Sequence, residues 1–363
     1  MGLTMKIFWS GFPGPCGGAN VEAWHTAKML RANGVEVTFI PTAGADLQMK
    51  GRLEGIGCEV VLGDDGKPIQ WEQLAAVPGV KGSVVVSMCN SHFIKHAHFY
   101  RDLGCPIIWI NCMTFCFPDE IQHYRRYGNA FDAYLFQSVW QQQQITPRLE
   151  SHGYTEDRGF LVRGAFAVDE FPFEPLPHER EHEFVIGRLS RAAEDKYSSN
   201  TFPIYQRVMQ AVERECPVRA RVMAWDGKIE RKCGTPDKHG VKADLLKSCA
   251  EPAATFLRSL HAMVQVNGGA GENWPRSGLE AMATGVPIVV QNQWGWQEML
   301  VHGVSGFLCD NDAQLAFHTA RLAVDEDLRL RVAANARERV EKELAAPEEI
   351  WDGWKKMLER VAT

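Results

Sequence analysis

Short apolar runs alternate with helical segments along almost the whole of this sequence, and that alternation confines the chain to a parallel α/β architecture. Lys6–Trp9 reads as a strand that opens into the Gly-rich loop GFPGPCGGAN. The segment VEAWHTAKMLRANG follows with apolar residues at helical spacing and Gly34 as its C-terminal cap, and VEVTFIP is the next strand. Strand, Gly loop, helix, strand is a βαβ unit, whose loop lies at the carboxyl edge of a parallel sheet. The alternation continues with CEVVLG, SVVVSMC, PIIWINC, AYLFQSV and FLVRGAFAV as strands. Between them, IQWEQLAAV, SHFIKHAHFYRDLG and a segment from Trp140 read as helices.

The Pro-rich polar stretch DEFPFEPLPHERE interrupts this pattern and reads as a hinge. A second α/β series starts at EFVIGRLS and runs through RARVMAW, AMVQVNGG, PIVVQNQ and GFLCDN. At 363 residues the chain is long for one core and comfortable for two. The expected organisation is therefore residues 1–174, residues 175–345, and a last amphipathic helix within residues 346–363, where Trp351 and Trp354 are spaced to anchor one face.

Bulk properties exclude several classes. A net charge of −6 without a basic half does not describe a nucleic-acid platform. No apolar run reaches the roughly 18 residues of a membrane span. The N-terminal MGLTMKIFWSGF is too quickly broken by Gly and Pro to be an export signal, so the ten scattered cysteines are expected as reduced thiols in the cytoplasm.

The chemistry concentrates between Gly268 and Val290. Glu272 and Glu280 have seven residues between them, Pro275 among these. Proline is favoured at a first helical position, which starts a helix at Pro275 and leaves the amides of Arg276, Ser277 and Gly278 as an anion site. Glu272–NWPRSGL–Glu280 followed by LEAMATGVPIVV resembles the donor-site signature of the retaining family-four nucleotide-sugar glycosyltransferases, of the glycogen-synthase and sucrose-synthase kind. The resemblance is dense over about two dozen residues here. It implies a GT-B fold, two Rossmann-like doubly wound domains facing each other across a cleft. The terminal helix would cross back to the first domain.

By the same resemblance, Glu280 binds the donor ribose and Glu272 lies beside the transferred sugar, without being assigned as a nucleophile. Asn273, Arg276, Ser277, Gly278 and Leu279 belong to the donor-binding run. In VIGRLSRAAEDKYSSN, Arg188 and Lys196 match the family's cations for the leaving diphosphate, and the AAED insertion keeps Arg191 open as a substitute. Gly17 and Gly18 match its first-domain Gly pair. The family's first-domain His is missing at PIIWINCMTF, where Asn111 and Cys112 stand, and His92 is the nearest candidate. The implied reaction moves a hexose from a UDP- or GDP-sugar to an acceptor hydroxyl, with no metal and no cofactor. The family often has a Gly pair where this chain reads QNQWGWQEM, and Trp294 and Trp296 either stack on a sugar ring or a base, if exposed, or pack, if buried.

His178–His182 spells HEREH, a zinc-protease pattern, but prolines precede it and a strand follows at once, so no helix fits. The sets His92, His96, His98 and Cys112, Cys116 are incomplete as metal sites. A nicotinamide oxidoreductase is disfavoured by the imperfect Gly fingerprint and by the lack of an acidic residue after VTFIP. A catalytically silent sugar-nucleotide- or partner-binding module on the same fold remains the alternative. The acceptor is unspecified; Tyr124-Arg125-Arg126-Tyr127 leaves nucleic acid open.

Overall fold

The computed structural model of the chain describes residues 5–15 and 17–362. They form two compact units, one of Met1–Phe166 with Ala346–Thr363, the other of Ala167–Ala345.

The first unit is built on a parallel sheet of β1 (Lys6–Ser10), β2 (Glu36–Ile40), β3 (Glu59–Val60), β4 (Val84–Met88), β5 (Ile107–Ile110), β6 (Ala133–Phe136) and β7 (Gly159–Leu161), in the order β3-β2-β1-β4-β5-β6-β7. Strands covered by helices on both faces need apolar residues on both, which is why β4 to β6 read VVVSM, IIWI and AYLF and are wholly buried. The order reverses between β1 and β4, and the loop after β4 is tied to the end of β1, where Asn90 Nδ2 lies 3.4 Å from Ser10 O. IQWEQLAAV, expected as a helix, supplies only the 3₁₀ turn Trp71–Ala76, whose one buried side chain is Leu74.

The terminal helix Pro347–Val361 belongs to this unit. Its Ile350, Trp354, Met357 and Leu358 share a core with Trp24, Ala27 and Val162. Gly353 permits the approach, since a Cβ there would meet Val162 Cγ2 at 2.7 Å. Trp354 is the buried anchor, and Trp351 packs at the margin.

The second unit repeats the plan with β8 (Phe184–Leu189), β9 (Val218–Met223), β10 (Ala243–Leu246), β11 (Ala262–Gln265), β12 (Ile288–Gln291) and β13 (Phe307–Cys309), all parallel, in the order β10-β9-β8-β11-β12-β13. The Pro-rich stretch read as a hinge is bonded along this unit. Phe171 and Leu176 carbonyls accept from Arg337 Nη1 and Arg329 Nη2 at 2.7 Å each, and Glu174 pairs with Arg258 at 2.8 Å. Pro177 O lies 3.1 Å from His261 Nε2; the other ring nitrogen accepts from Val185 N–H, which makes Nε2 the donor. Burial lowers this imidazole to about 4, in keeping with a neutral ring. These bonds explain why the compact units part at residue 167 and not at 175.

Among the described residues no helix is long and apolar enough to cross a membrane.

Candidate active site

In the second sheet the strand order reverses between β8 and β11, and the loops leaving those two strands are in contact. Ala270 N–H donates to Asp195 O at 2.9 Å, and Ser198 N–H reaches Val266 O at 3.3 Å. Gly268 is required by the approach: any Cβ would overlap the Tyr197 carbonyl. Arg188, at the end of β8, is buried and clamps the two loops. Its Nη1 donates to Val266 O at 2.7 Å, its Nη2 donates to Lys196 O, and the guanidinium lies 4.1 Å from the Tyr197 ring centroid. Two backbone carbonyls therefore hold the arginine expected at a diphosphate, leaving it as a fixed positive floor.

Lys196 ends the 3₁₀ turn Glu194–Lys196, which aims its ammonium at Glu272, 2.7 Å away. Both side chains are mostly buried, at 16% and 14% exposed, so the pair is poorly screened by solvent. Arg191 does not join them. It is exposed and pairs with Asp195 at 3.3 Å, the partner the AAED insertion supplies one helical turn later. Arg188, Lys196 and Glu272 line one narrow pocket together with Gln265, Asn267, Gln291, Gln293 and both tryptophans, Trp294 and Trp296.

The helix after this loop runs Arg276–Thr284, with Pro275 as its cap and not its first residue (φ −68°, ψ 106°). Gly278 N–H is taken by Pro275 O at 2.9 Å, so this amide, expected to be free for an anion, is occupied. Gly278 answers a packing demand instead: a Cβ would meet Met299 Sδ and Trp296 Cζ3 at 2.6 Å. Leu279 is core, and Asn273 is buried. Ser277 Oγ accepts from Gln265 Nε2 at 3.1 Å, and the same amide reaches Leu189 O at 3.0 Å, tying the helix start to β8 and β11. Glu280 is 6% exposed. Burial raises its pKa, opposed by Arg276 one turn earlier, and it does not line the pocket that holds Glu272.

The two tryptophans divide their roles. Trp296 is 3% exposed and packs under Gly278. Trp294 is half-buried on the pocket wall with φ 52° and ψ −137°.

In the first unit, Gly17 (φ 104°) caps the helix Gly18–Ala32, in a backbone conformation that glycine adopts without strain. This helix start sits beyond the carboxyl end of β1, where the strand order reverses. His92 lies in the first turn of the helix Ser91–Asp102, which follows β4, and is exposed. Its ring stacks on His96 at 5.6 Å, and His96 stacks on Trp71 at 4.6 Å. Asn111 is spent on the turn after β5: its Oδ1 accepts from Met113 N–H at 2.9 Å and its Nδ2 donates to Phe115 O at 2.8 Å. Sequence reasoning passed over Glu22, buried in the helix that follows the Gly loop, which accepts from Gln137 Nε2. Gly164 leaves it room, since a Cβ there would stand 2.7 Å from the carboxylate. The available signal was a glutamate one turn after a Gly loop, beside the apolar Ala23 and Trp24. HEREH lies on irregular backbone before β8.

The sequence model of the family described as "Glycosyl transferases group 1" matches residues 245–339, inside the second unit. No curated protein matches. Among solved structures, the chain is similar to Anabaena Alr3699/HepE, solved in complex with UDP-glucose, at 17% identity and TM-score 0.71 over 98% of this chain and 100% of that one. A glycosyltransferase from Rickettsia africae ESF-5 gives 11% identity and TM-score 0.72 over 99% of each chain. Sucrose-phosphate synthase from Thermosynechococcus elongatus gives 13% identity and TM-score 0.67, covering 98% of this chain and 99% of its own. These likenesses show the fold alone. The chain thus has the GT-B fold, and residues 245–339 within its second unit match the group 1 glycosyltransferase model.

Proposed function

We propose that the chain transfers a hexosyl group, with retention of anomeric configuration, from a nucleoside diphosphate sugar to an acceptor hydroxyl. The Lys196–Glu272 pair carries this reading, because it places a cation and a carboxylate side by side at the point where the strand order of the second sheet reverses. A group 1 domain and the UDP-glucose complex of HepE support the donor class. On donor binding, Lys196 exchanges Glu272 for a diphosphate oxygen and stabilises the charge that develops as the glycosidic bond breaks. Arg188 adds positive potential from the pocket floor without leaving its carbonyl partners. Glu272, released from Lys196, accepts hydrogen bonds from sugar hydroxyls.

The test is thermal stabilisation by UDP, GDP and ADP and by their glucose and mannose conjugates, followed by diphosphate release with the donor that stabilises best. One nucleotide series should raise the melting temperature and be turned over. Lys196→Met should lower kcat about 10²-fold, the scale of losing one charge stabiliser of a transition state. Binding without turnover for any acceptor would favour a silent binding module, and no shift with any nucleotide would remove the donor class. Proton coupling at the product's anomeric carbon reports configuration, and an inverted product would overturn retention.

A further inference from the structure

The loop Asn292–Trp296 carries a local contradiction. Gly295 is forced, because a Cβ there would collide with the Asn273 carbonyl, and its N–H donates to Glu272 O at 2.9 Å. The loop is thereby pinned to the backbone of the glutamate that faces Lys196. The residue before it, Trp294, has φ 52° and ψ −137°, close to the first central position of a type II′ turn, where glycine is the unstrained choice. Glycine is used at 295, where sterics demand it, and the bulkiest side chain of all is used at 294, where the backbone favours glycine. Packing accounts for Trp296, which is buried under Gly278. It accounts less well for Trp294, which is only half-buried and lines the same pocket as Lys196 and Glu272.

We infer that the Trp294 indole is the wall of the sugar subsite that sets which donor sugar the pocket admits. An apolar ring face suits the C–H face of a hexopyranose. Beside Lys196 and Glu272 the indole also occupies space that a bulkier sugar would need. The consequence is preference for a plain hexose over an N-acetylhexosamine. This inference rests on the proposed glycosyl transfer, and the two fail differently.

The experiment compares the full-length chain with Trp294→Gly. UDP-, GDP- and ADP-glucose are first tried with the unmodified protein to fix the base. Diphosphate release is then measured with the glucose and N-acetylglucosamine conjugates of that base. The unmodified protein should favour glucose, and Trp294→Gly should lower that preference in kcat/KM at least about tenfold, the scale of a changed pocket contact. Its melting temperature should not fall, since glycine relieves the backbone. An unchanged preference in an active variant overturns the inference and leaves glycosyl transfer standing. A lowered melting temperature with an unchanged preference marks the indole as packing, and also overturns it. Should the glycine variant not fold, Trp294→Asn, which tolerates positive φ, gives the same readout. No release by the unmodified protein from any of the three donors removes the glycosyl-transfer reading, and this inference with it.

Discussion

Glu120 shows how one buried carboxyl couples this fold to pH. Its Oε1 accepts from the Tyr124 hydroxyl at 2.8 Å, Tyr124 accepts in turn from Tyr134 at 2.5 Å, and its Oε2 accepts from Phe117 N–H at 3.1 Å. Burial outweighs these donors and pushes the carboxyl up to about 7, against an ordinary 4.5. The folded state then holds a proton that the unfolded chain has released, so stability is fully present below about 4.5 and falls as pH rises through about 7. The loss amounts to about 3 kcal/mol over that window. The buried imidazoles of His123 and His261, both lowered to about 4, act in the opposite sense, so the Glu120 contribution is read by difference. Glu120→Gln, which cannot ionise, should gain melting temperature relative to the unmodified protein as pH rises from about 5 to about 7.5, and parallel curves would assign the titration elsewhere. At the candidate site, the choice between Arg191 and Lys196 was undecided in the sequence because a four-residue insertion shifts the register. It took the 3₁₀ turn Glu194–Lys196 to turn one cation inward and the other toward Asp195. Glu22 was illegible for a related reason: periodicity marks which face of a helix is apolar, while a buried carboxylate on its margin depends on Gln137, more than 100 residues away.

Elements were legible where one apolar run had one reading. The strands β1, β4, β5, β8, β11 and β12 each hold a short apolar run, because burial on both faces leaves little alternation to misread. The helix Arg276–Thr284 was placed to within one residue, and that residue matters: a capping Pro275 carbonyl consumes the Gly278 amide. The terminal helix makes the strongest prediction at this scale. Trp354 is 1% exposed within the first unit's core. Trp354→Ala should cost about 3–5 kcal/mol, seen as an earlier denaturation midpoint, whereas Trp351→Ala at the margin of that core should cost distinctly less. Equal costs would contradict the packing described here.

At the scale of the whole molecule, the two units differ in how the chain supplies them. The second is one continuous stretch, Ala167–Ala345, with its own core from Phe184 to Val332. Expressed alone, it should unfold cooperatively and resist proteolysis. Residues 1–166 expressed alone should not, because Ile350, Trp354, Met357 and Leu358 are missing from their core; supplying residues 346–363 as a peptide should raise their melting temperature. The Pro-rich segment did not disclose this division, since its composition reads as a linker while its carbonyls are taken by Arg329 and Arg337.

The split first unit also dictates an order of events at the ribosome. Its sheet emerges first, yet its core stays open until the final helix leaves the exit tunnel, after the entire second unit has been synthesised. The domain begun first is completed last, and for most of translation the nascent chain carries an uncovered apolar face that a chaperone would recognise.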